Sequence, residues 1–194
     1  MSVSLIAATL IVIAFTGAGV LQVIWLKSAW ASRCAVAIDC GLTLRGHRIF
    51  GANKTWRGFI GMVPATTLAF ATLGAVTAAC GGGPFRALGW STDVGAWAML
   101  GAAAGLGYMI GELPNSFLKR QYGIPPGGAA LRQSARRWQF LIDQTDSVIG
   151  AALAIAYLRP LPWPAAATLI VLGPCVHQAF NHVLVAVGLK TRAA

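Results

Sequence analysis

Long apolar runs alternate with short polar segments along the whole chain, and that alternation sets the expected architecture. Five runs, at about residues 3–26, 58–79, 94–113, 142–158 and 165–187, approach the roughly 20 residues that a helix needs to cross a bilayer. The first begins at the N-terminus, yet it has no basic leading segment and exceeds the roughly 7–15 residues of a signal core, so it reads as a span. The fourth ends at RPLPWP, residues 159–164, where three prolines in six residues forbid helix continuation and predict a tight hairpin into the fifth. The expected fold is all-α: an integral membrane bundle of five transmembrane helices, forming one membrane domain over residues 1–194.

Composition supports the same class. Hydrophobic residues make up 57% of the chain and charged residues 10%, with a mean hydropathy of +0.68, whereas a soluble domain carries roughly a quarter charged residues. Charge then adds an orientation. Thirteen of the fifteen Lys and Arg fall in segments 27–57 and 114–141 or in the C-terminal tail, and the opposite loops hold only Arg86 and Arg159. By the positive-inside rule the N-terminus is expected outside, with both basic loops and the C-terminus cytoplasmic.

The net charge of +10 therefore gathers on one face. Topology alone, anionic headgroups or a polyanionic ligand would each account for it. Nucleic acid is not an expected partner, because no recognised binding motif accompanies the charge. Cys34, Cys40, Cys80 and Cys175 form no C-x-x-C pair and imply neither a disulfide framework nor a zinc site. The GGG at 81–83 reads as a flexible outer turn, and no internal repeat is visible.

Only five acidic residues occur, and two of them, Asp143 and Asp146, stand at the lip of the fourth run. Three apart on a helix, they share a face. Two carboxylates at the hydrocarbon boundary repel one another and lose hydration, a cost that a divalent cation would offset. Mg2+ favours one or two carboxylates together with substrate phosphates. The competing reading is an interfacial cap on the helix dipole, which suits Asp143 but not Asp146, one turn deeper.

Three further constellations carry polar chemistry. In GELPNSFLKRQYG, residues 111–123, Pro114 is expected to break the third span or open a new helix. Ser116, Lys119 and Arg120 then form one polar face, either a ligand site or an anchoring end that snorkels to headgroups. Glu112 favours the ligand site, since a carboxylate on the buried side has no anchoring role. In FGANKTWRGFIGM, residues 50–62, Asn53, Lys54, Thr55 and Arg57 supply donors suited to phosphate oxygens. Gly51, Gly58 and Gly61 allow close approach of a ligand or of a neighbouring helix. The alternative there is a positive-inside flank with Trp56 in the aromatic belt. In CVHQAFNHVL, residues 175–184, His177 and Asn181 share a face that points into the bundle or joins two helices.

Taken in order, NKTWRG, G-E-x-x-x-S-F-x-K-R-x-x-G-I, D-Q-x-D and H-x-x-x-N followed by GLK resemble the CDP-archaeol synthase family over about residues 39–190. These are small membrane cytidylyltransferases, similar in their final motifs to bacterial phosphatidate cytidylyltransferases. The second motif departs from the family's usual Gly-Asp opening with Gly111-Glu112, and Pro114 and Asn115 replace an apolar–Lys pair. The loop at 123–142 is longer and more basic than the family pattern.

The resemblance implies five spans, a cytoplasm-facing polar site in a bacterial or archaeal plasma membrane, and Mg2+-dependent transfer of CMP from CTP to a lipid phosphate with release of pyrophosphate. It assigns Asn53, Lys54 and Thr55 to the first motif, Ser116, Lys119 and Arg120 to the second, Asp143 and Asp146 to the third, and His177 and Asn181 to the last. A lipid phosphate is already largely ionised, so the reaction needs alignment and charge neutralisation more than a general base. The expected roles follow. Asp143 and Asp146, with Glu112, hold Mg2+; Lys119, Arg120 and Lys54 stabilise pyrophosphate; Asn53, Thr55 and Ser116 orient phosphates or cytosine. The implied partners are CTP, a lipid phosphate and the bilayer itself, and a homo-oligomer is compatible with the sequence.

Rival readings are an inward-facing lipid or anion transporter and a catalytically degenerate lipid-binding protein. The odd span count without repeats disfavours the transporter. The D-G-x-x-A-R start of CDP-alcohol phosphotransferases is missing.

Overall fold

In hydrocarbon no water is present to satisfy backbone N–H and C=O groups, so apolar runs of this length fold as helices that satisfy their own. The structure, a computed structural model, describes residues 2–128 and 133–189. Five of its helices are long and apolar enough to cross a membrane: α1 (Val3–Lys27), α3 (Trp56–Ala79), α5 (Val94–Gln121), α6 (Gln133–Leu158) and α7 (Trp163–Ala186). Two short helices, α2 (Ala29–Arg33) and α4 (Gly83–Ala87), lie in the connections, and a two-stranded hairpin, β1 (Thr43–Leu44) with β2 (His47–Arg48), lies between α2 and α3. Arg132, Lys190 and Arg192, counted among the basic residues above, lie outside the described residues.

Two boundaries differ most from expectation. Pro114 does not break α5, which continues to Gln121. A proline removes one N–H and crowds the preceding turn, but membrane helices tolerate this where neighbouring helices hold both sides. Here Asn115 and Lys119 tie the segment beyond Pro114 to α6. The fourth span, expected from residue 142, begins at Gln133. The basic stretch ahead of it is helix rather than loop, because Arg, Gln and Ala are strong helix formers whatever their hydropathy. Asp143 consequently lies well inside α6 rather than in its first turn, and the helix-capping reading of that residue falls.

The spans close a five-membered ring: α1 packs on α3, α3 on α5, α5 on α6, α6 on α7, and α7 on α1. The sequence GAAAGLGYMIG of α5 explains its place between two partners. Gly101 and Gly105 form one small-residue face against α3, where a Cβ on Gly101 would lie 2.5 Å from the Thr66 carbonyl oxygen. Gly107 and Gly111 form a second face against α6, where a Cβ on Gly111 would lie 2.5 Å from the Asp146 carbonyl oxygen. Two overlapping small-xxx-small patterns thus serve two helix contacts, the usual means by which membrane helices approach closely.

At the end bearing the α3–α5 and α6–α7 connections the ring is filled. Ala7, Ile11, Phe70, Leu100, Ile155 and Ala165 are buried there around an aromatic stack. Phe85 of α4 meets Trp97 edge-on at 4.7 Å, and Trp90 lies 5.4 Å from Trp97. Both indole N–H groups are satisfied, Trp90 donating to the Pro160 carbonyl at 2.8 Å and Trp97 to that of Ser91 at 2.9 Å. The prolines of RPLPWP serve this end: α6 stops at Leu158 as expected, and α7 opens at Trp163, ahead of the expected residue 165, with Pro164 in its first turn.

Candidate active site

The other end of the ring is hollow. A cavity of about 1230 Å3 extends inward from it, lined by all five long helices and by the connection from α2 to α3. All twelve residues singled out by sequence line it: Asn53, Lys54, Thr55 and Arg57; Glu112, Ser116, Lys119 and Arg120; Asp143 and Asp146; His177 and Asn181. Deeper in, the wall turns apolar, with Val12, Phe15, Val148, Ile155 and Leu169 facing the space.

The polar wall is built chiefly by α5 and α6. Their close approach at Gly107, Gly111 and Gly150 brings the turns carrying Glu112, Asn115 and Lys119 against those carrying Asp143, Asp146 and Ser147. Lys119 pairs with Asp143, and Lys54, reaching in from ahead of α3, pairs with Glu112. Asp146 takes neutral donors: Asn115 Nδ2 at 2.8 Å, and the Ser147 backbone N–H at 2.7 Å. The Ser147 hydroxyl lies between two carboxylates, 2.9 Å from Glu112 Oε1 and 3.1 Å from Asp146 Oδ1. Burial works against the charge on Lys54, but Glu112, backed by Asp146 and Asp143, outweighs it and holds the ammonium above the ordinary lysine value.

Among the described residues, no three His, Cys, Asp or Glu side chains stand ready as a metal cage. A two-carboxylate site is a different matter. Asn115 Nδ2 lies 2.6 Å from Asp143 Oδ1 and 2.8 Å from Asp146 Oδ2, so the two carboxylates flank one amide nitrogen. That donor set fits Mg2+, which takes one or two carboxylates and completes its shell with water and substrate phosphate. Glu112 pairs with Lys54 and is linked to Asp146 through the Ser147 hydroxyl.

Two buried side chains face the cavity with hydrogen-bonding capacity to spare. Arg120, 8% exposed, has Nε and Nη1 without partners, and Gln144, 4% exposed, has its carbonyl oxygen without one. A guanidinium buried with free donors is costly unless a ligand completes it. His177 of α7 meets the Tyr108 hydroxyl through Nδ1 at 2.7 Å, which ties the last motif to α5.

Sequence reading passed over Asn115, Ser147, Gln144 and Tyr108. For Asn115 a signal existed, since it lies three and four residues from Glu112 and Lys119 and so shares their face. Gln144 and Ser147 follow Asp143 and Asp146 directly and carried no periodic mark of their own. Of the glycines read as allowing close approach, Gly61 faces Trp25 and Gln22 of α1, and Gly58 faces Met109. Gly51 alone lies against a member of the polar set, with Arg120 Cδ 3.2 Å from where its Cβ would be.

Five spans ringed around a charged, half-buried cavity that is closed at its far end define an intramembrane protein with a site for a polar ligand. A family model described as CarS-like CDP-archaeol synthase matches residues 24–193, and the chain belongs to that family. The CDP-archaeol synthase of Pyrococcus abyssi is 34% identical over 146 residues, covering 74% of this chain and 75% of its own. That of Halobacterium salinarum is 34% identical over 161 residues, covering 79% and 80%. Among solved structures, an intramembrane enzyme for archaeal membrane lipid biosynthesis superposes with a TM-score of 0.62 at 23% identity, covering 91% of this chain and 94% of its own, a likeness of fold.

Proposed function

We propose that this protein transfers CMP from CTP to a membrane lipid phosphate of the isoprenoid-ether or diacyl type, giving a CDP-lipid and pyrophosphate, at a site that faces the cytoplasm. The observation that carries this reading is the single cavity in which all four sequence motifs meet, polar toward its mouth and apolar in its depth. Membership of the CDP-archaeol synthase family supports a cytidylyltransferase acting on a lipid phosphate.

The residues divide the work by charge. Asp143 and Asp146 would hold Mg2+, which when bound supplies neutralisation of the triphosphate. Lys119 and Lys54 each cover a carboxylate. Both ammonium groups line the cavity, where they would stabilise the pyrophosphate leaving group. Arg120 brings donors that no protein group uses. Arg57, Asn53, Thr55 and Ser116 complete the phosphate contacts, and His177 with Asn181 closes the α7 side.

The lipid phosphate attacks the α-phosphorus, its own charge making a strong base unnecessary, and the site's contribution is alignment and charge. The aromatic plug at the opposite end favours a site entered from one side over a path across the membrane.

Purified protein incubated with Mg2+, labelled CTP and a panel of ether-linked and diacyl lipid phosphates is expected to form a nucleotide-linked lipid. Absence of product across the panel overturns the reading.

A further inference from the structure

Asp39 is one of the five acidic residues and belongs to none of the motifs that line the cavity. It lies in the connection from α2 to α3, a segment with little regular structure, yet its side chain is completely buried. Arg48 pairs with Oδ1, which also accepts the Gly41 N–H at 3.1 Å. Oδ2 accepts the N–H groups of Phe50 and Gly51 at 3.0 and 2.9 Å. One carboxylate thus satisfies three backbone donors and a guanidinium drawn from a stretch of thirteen residues, Asp39 to Gly51.

What this carboxylate holds runs directly into the site. Residues 36–38 pair with 54–56: the Ile38 N–H donates to the Lys54 carbonyl at 2.9 Å and the Trp56 N–H to that of Val36 at 2.9 Å. Gly51 has a φ of +91°, and a Cβ there would lie 3.2 Å from both Arg120 Cδ and Pro126 Cγ. The backbone that Asp39 grips therefore touches Arg120 on one side and continues through Asn53, Lys54 and Thr55 on the other. Between them the Arg45–Gly46 turn, with φ of +52° and +80°, has the double left-handed geometry of a two-residue type I′ hairpin. The segment from Val36 to Trp56 is a strap, and Asp39 is the charge buried most completely in it.

We propose that Asp39 is a positioning residue: through the strap it sets where Asn53, Lys54 and Thr55 meet the phosphates of the nucleotide. The proposal rests on the cytidylyltransferase reading for its kinetic consequence but not for its structural one. Without the carboxylate, the Phe50 and Gly51 N–H groups and the Arg48 guanidinium lose their common acceptor, and the two arms of the strap are left joined by their backbone pairings alone. Lys54 would then reach Glu112 and the nucleotide from a range of positions. A catalytic cation misplaced by an ångström loses much of its effect.

The full-length protein in lipid nanodiscs, with Asp39→Asn, Arg48→Met, Lys54→Met and the Asp39→Asn/Lys54→Met pair, tests this by two readouts. Asp39→Asn is expected to speed amide hydrogen exchange at residues 50–55 by about tenfold or more while α5 and α6 keep their protection. It should lower kcat/KM for CTP by roughly tenfold to a hundredfold, the scale of losing hydrogen bonds to a charged group. Because Lys54 is one of the groups through which Asp39 acts, the double variant should lose less than the product of the two single losses.

Unchanged exchange at 50–55, or losses that multiply in the double variant, would overturn the proposal. Arg48→Met keeps the three backbone bonds and is expected to shift exchange in the same direction by less. If Asp39→Asn does not accumulate as folded protein, unchanged exchange in Arg48→Met overturns the idea instead. A wild-type protein that makes no nucleotide-linked lipid strikes down the functional reading alone, and the exchange comparison still decides the role of Asp39.

Discussion

The two ends of this ring are made by the same five helices and reach opposite solutions. At one end α1, α3, α5, α6 and α7 present alanines, large aliphatic side chains and an aromatic stack that fill the interior. At the other the same helices present carboxylates, amides and cations around a space of about 1230 Å3. In a bilayer, lipid tails are as apolar as leucine, so the filled end gains its cohesion from close contact and dispersion rather than from escape from water. The hollow end gives up that contact and is held by charge-assisted bonds between α5 and α6 and by the strap. The filled end is a clamp that fixes the helices, so that the hollow end can keep polar groups apart and available.

That division predicts that activity and stability separate by position along the helix axes. The largest effect is expected at Asp146. Replacement by Asn keeps the shape and the Asn115 and Ser147 contacts within reach but removes one of the two charges that flank Asn115. A loss of about 10²–10³ in kcat is expected, typical of removing a key electrostatic stabiliser, with an unchanged unfolding midpoint in detergent. Labelled CTP incorporation and thermal unfolding measured together decide it, and full activity in that variant would remove Asp146 from the site.

The mirror experiment is at the filled end. Trp97 is 2% exposed and touches Phe70, Phe85 and Trp90. Trp97→Ala should cost about 3 kcal/mol or more of stability, the range for emptying a large aromatic site, and should leave KM for CTP unchanged below the new melting temperature. A raised KM with unaltered stability would mean that the two ends are not separate devices.

The same contrast governs what the sequence made legible. The five spans, the proline-rich hairpin and the polar residues of all four motifs could be read, because hydropathy and helical spacing are local properties. The course of α5 past Pro114 could not, since it depends on Asn115 and Lys119 finding partners on α6, roughly thirty residues away. Nor could the early start of α6, where arginines lowered the hydropathy of a segment whose helical propensity is high. Asp39 was invisible for a related reason. A lone acidic residue in a basic loop has no periodic neighbour, and its four partners come together only after the hairpin has turned. The glycines of α5 were present in the sequence as two overlapping patterns, but only packing shows that one serves α3 and the other α6.

The smallest expected effect concerns the strap, which belongs to neither end. Burial opposes the charge of Asp39, but the Arg48 guanidinium and the N–H groups of Gly51, Phe50 and Gly41 outweigh it and hold the carboxyl well below the usual carboxylate range. A carboxyl lowered on folding contributes stability that is fully present above its unfolded value of about 3.9 and is lost as pH falls through the folded value. Lys54 is the opposite case. Its pKa is raised by Glu112 against the cost of burial, so its contribution is full below an unfolded value of about 10.4 and is lost as pH rises through the folded value. Between these limits neither group changes charge. Amide protection across residues 36–56, corrected for the intrinsic exchange rate, should therefore be flat from about pH 5 to pH 9 and fall only on the acid side of about pH 4. A loss of protection centred near neutral pH would show that another group sets the strap, and the filled end, measured in the same samples, provides the reference that should not move.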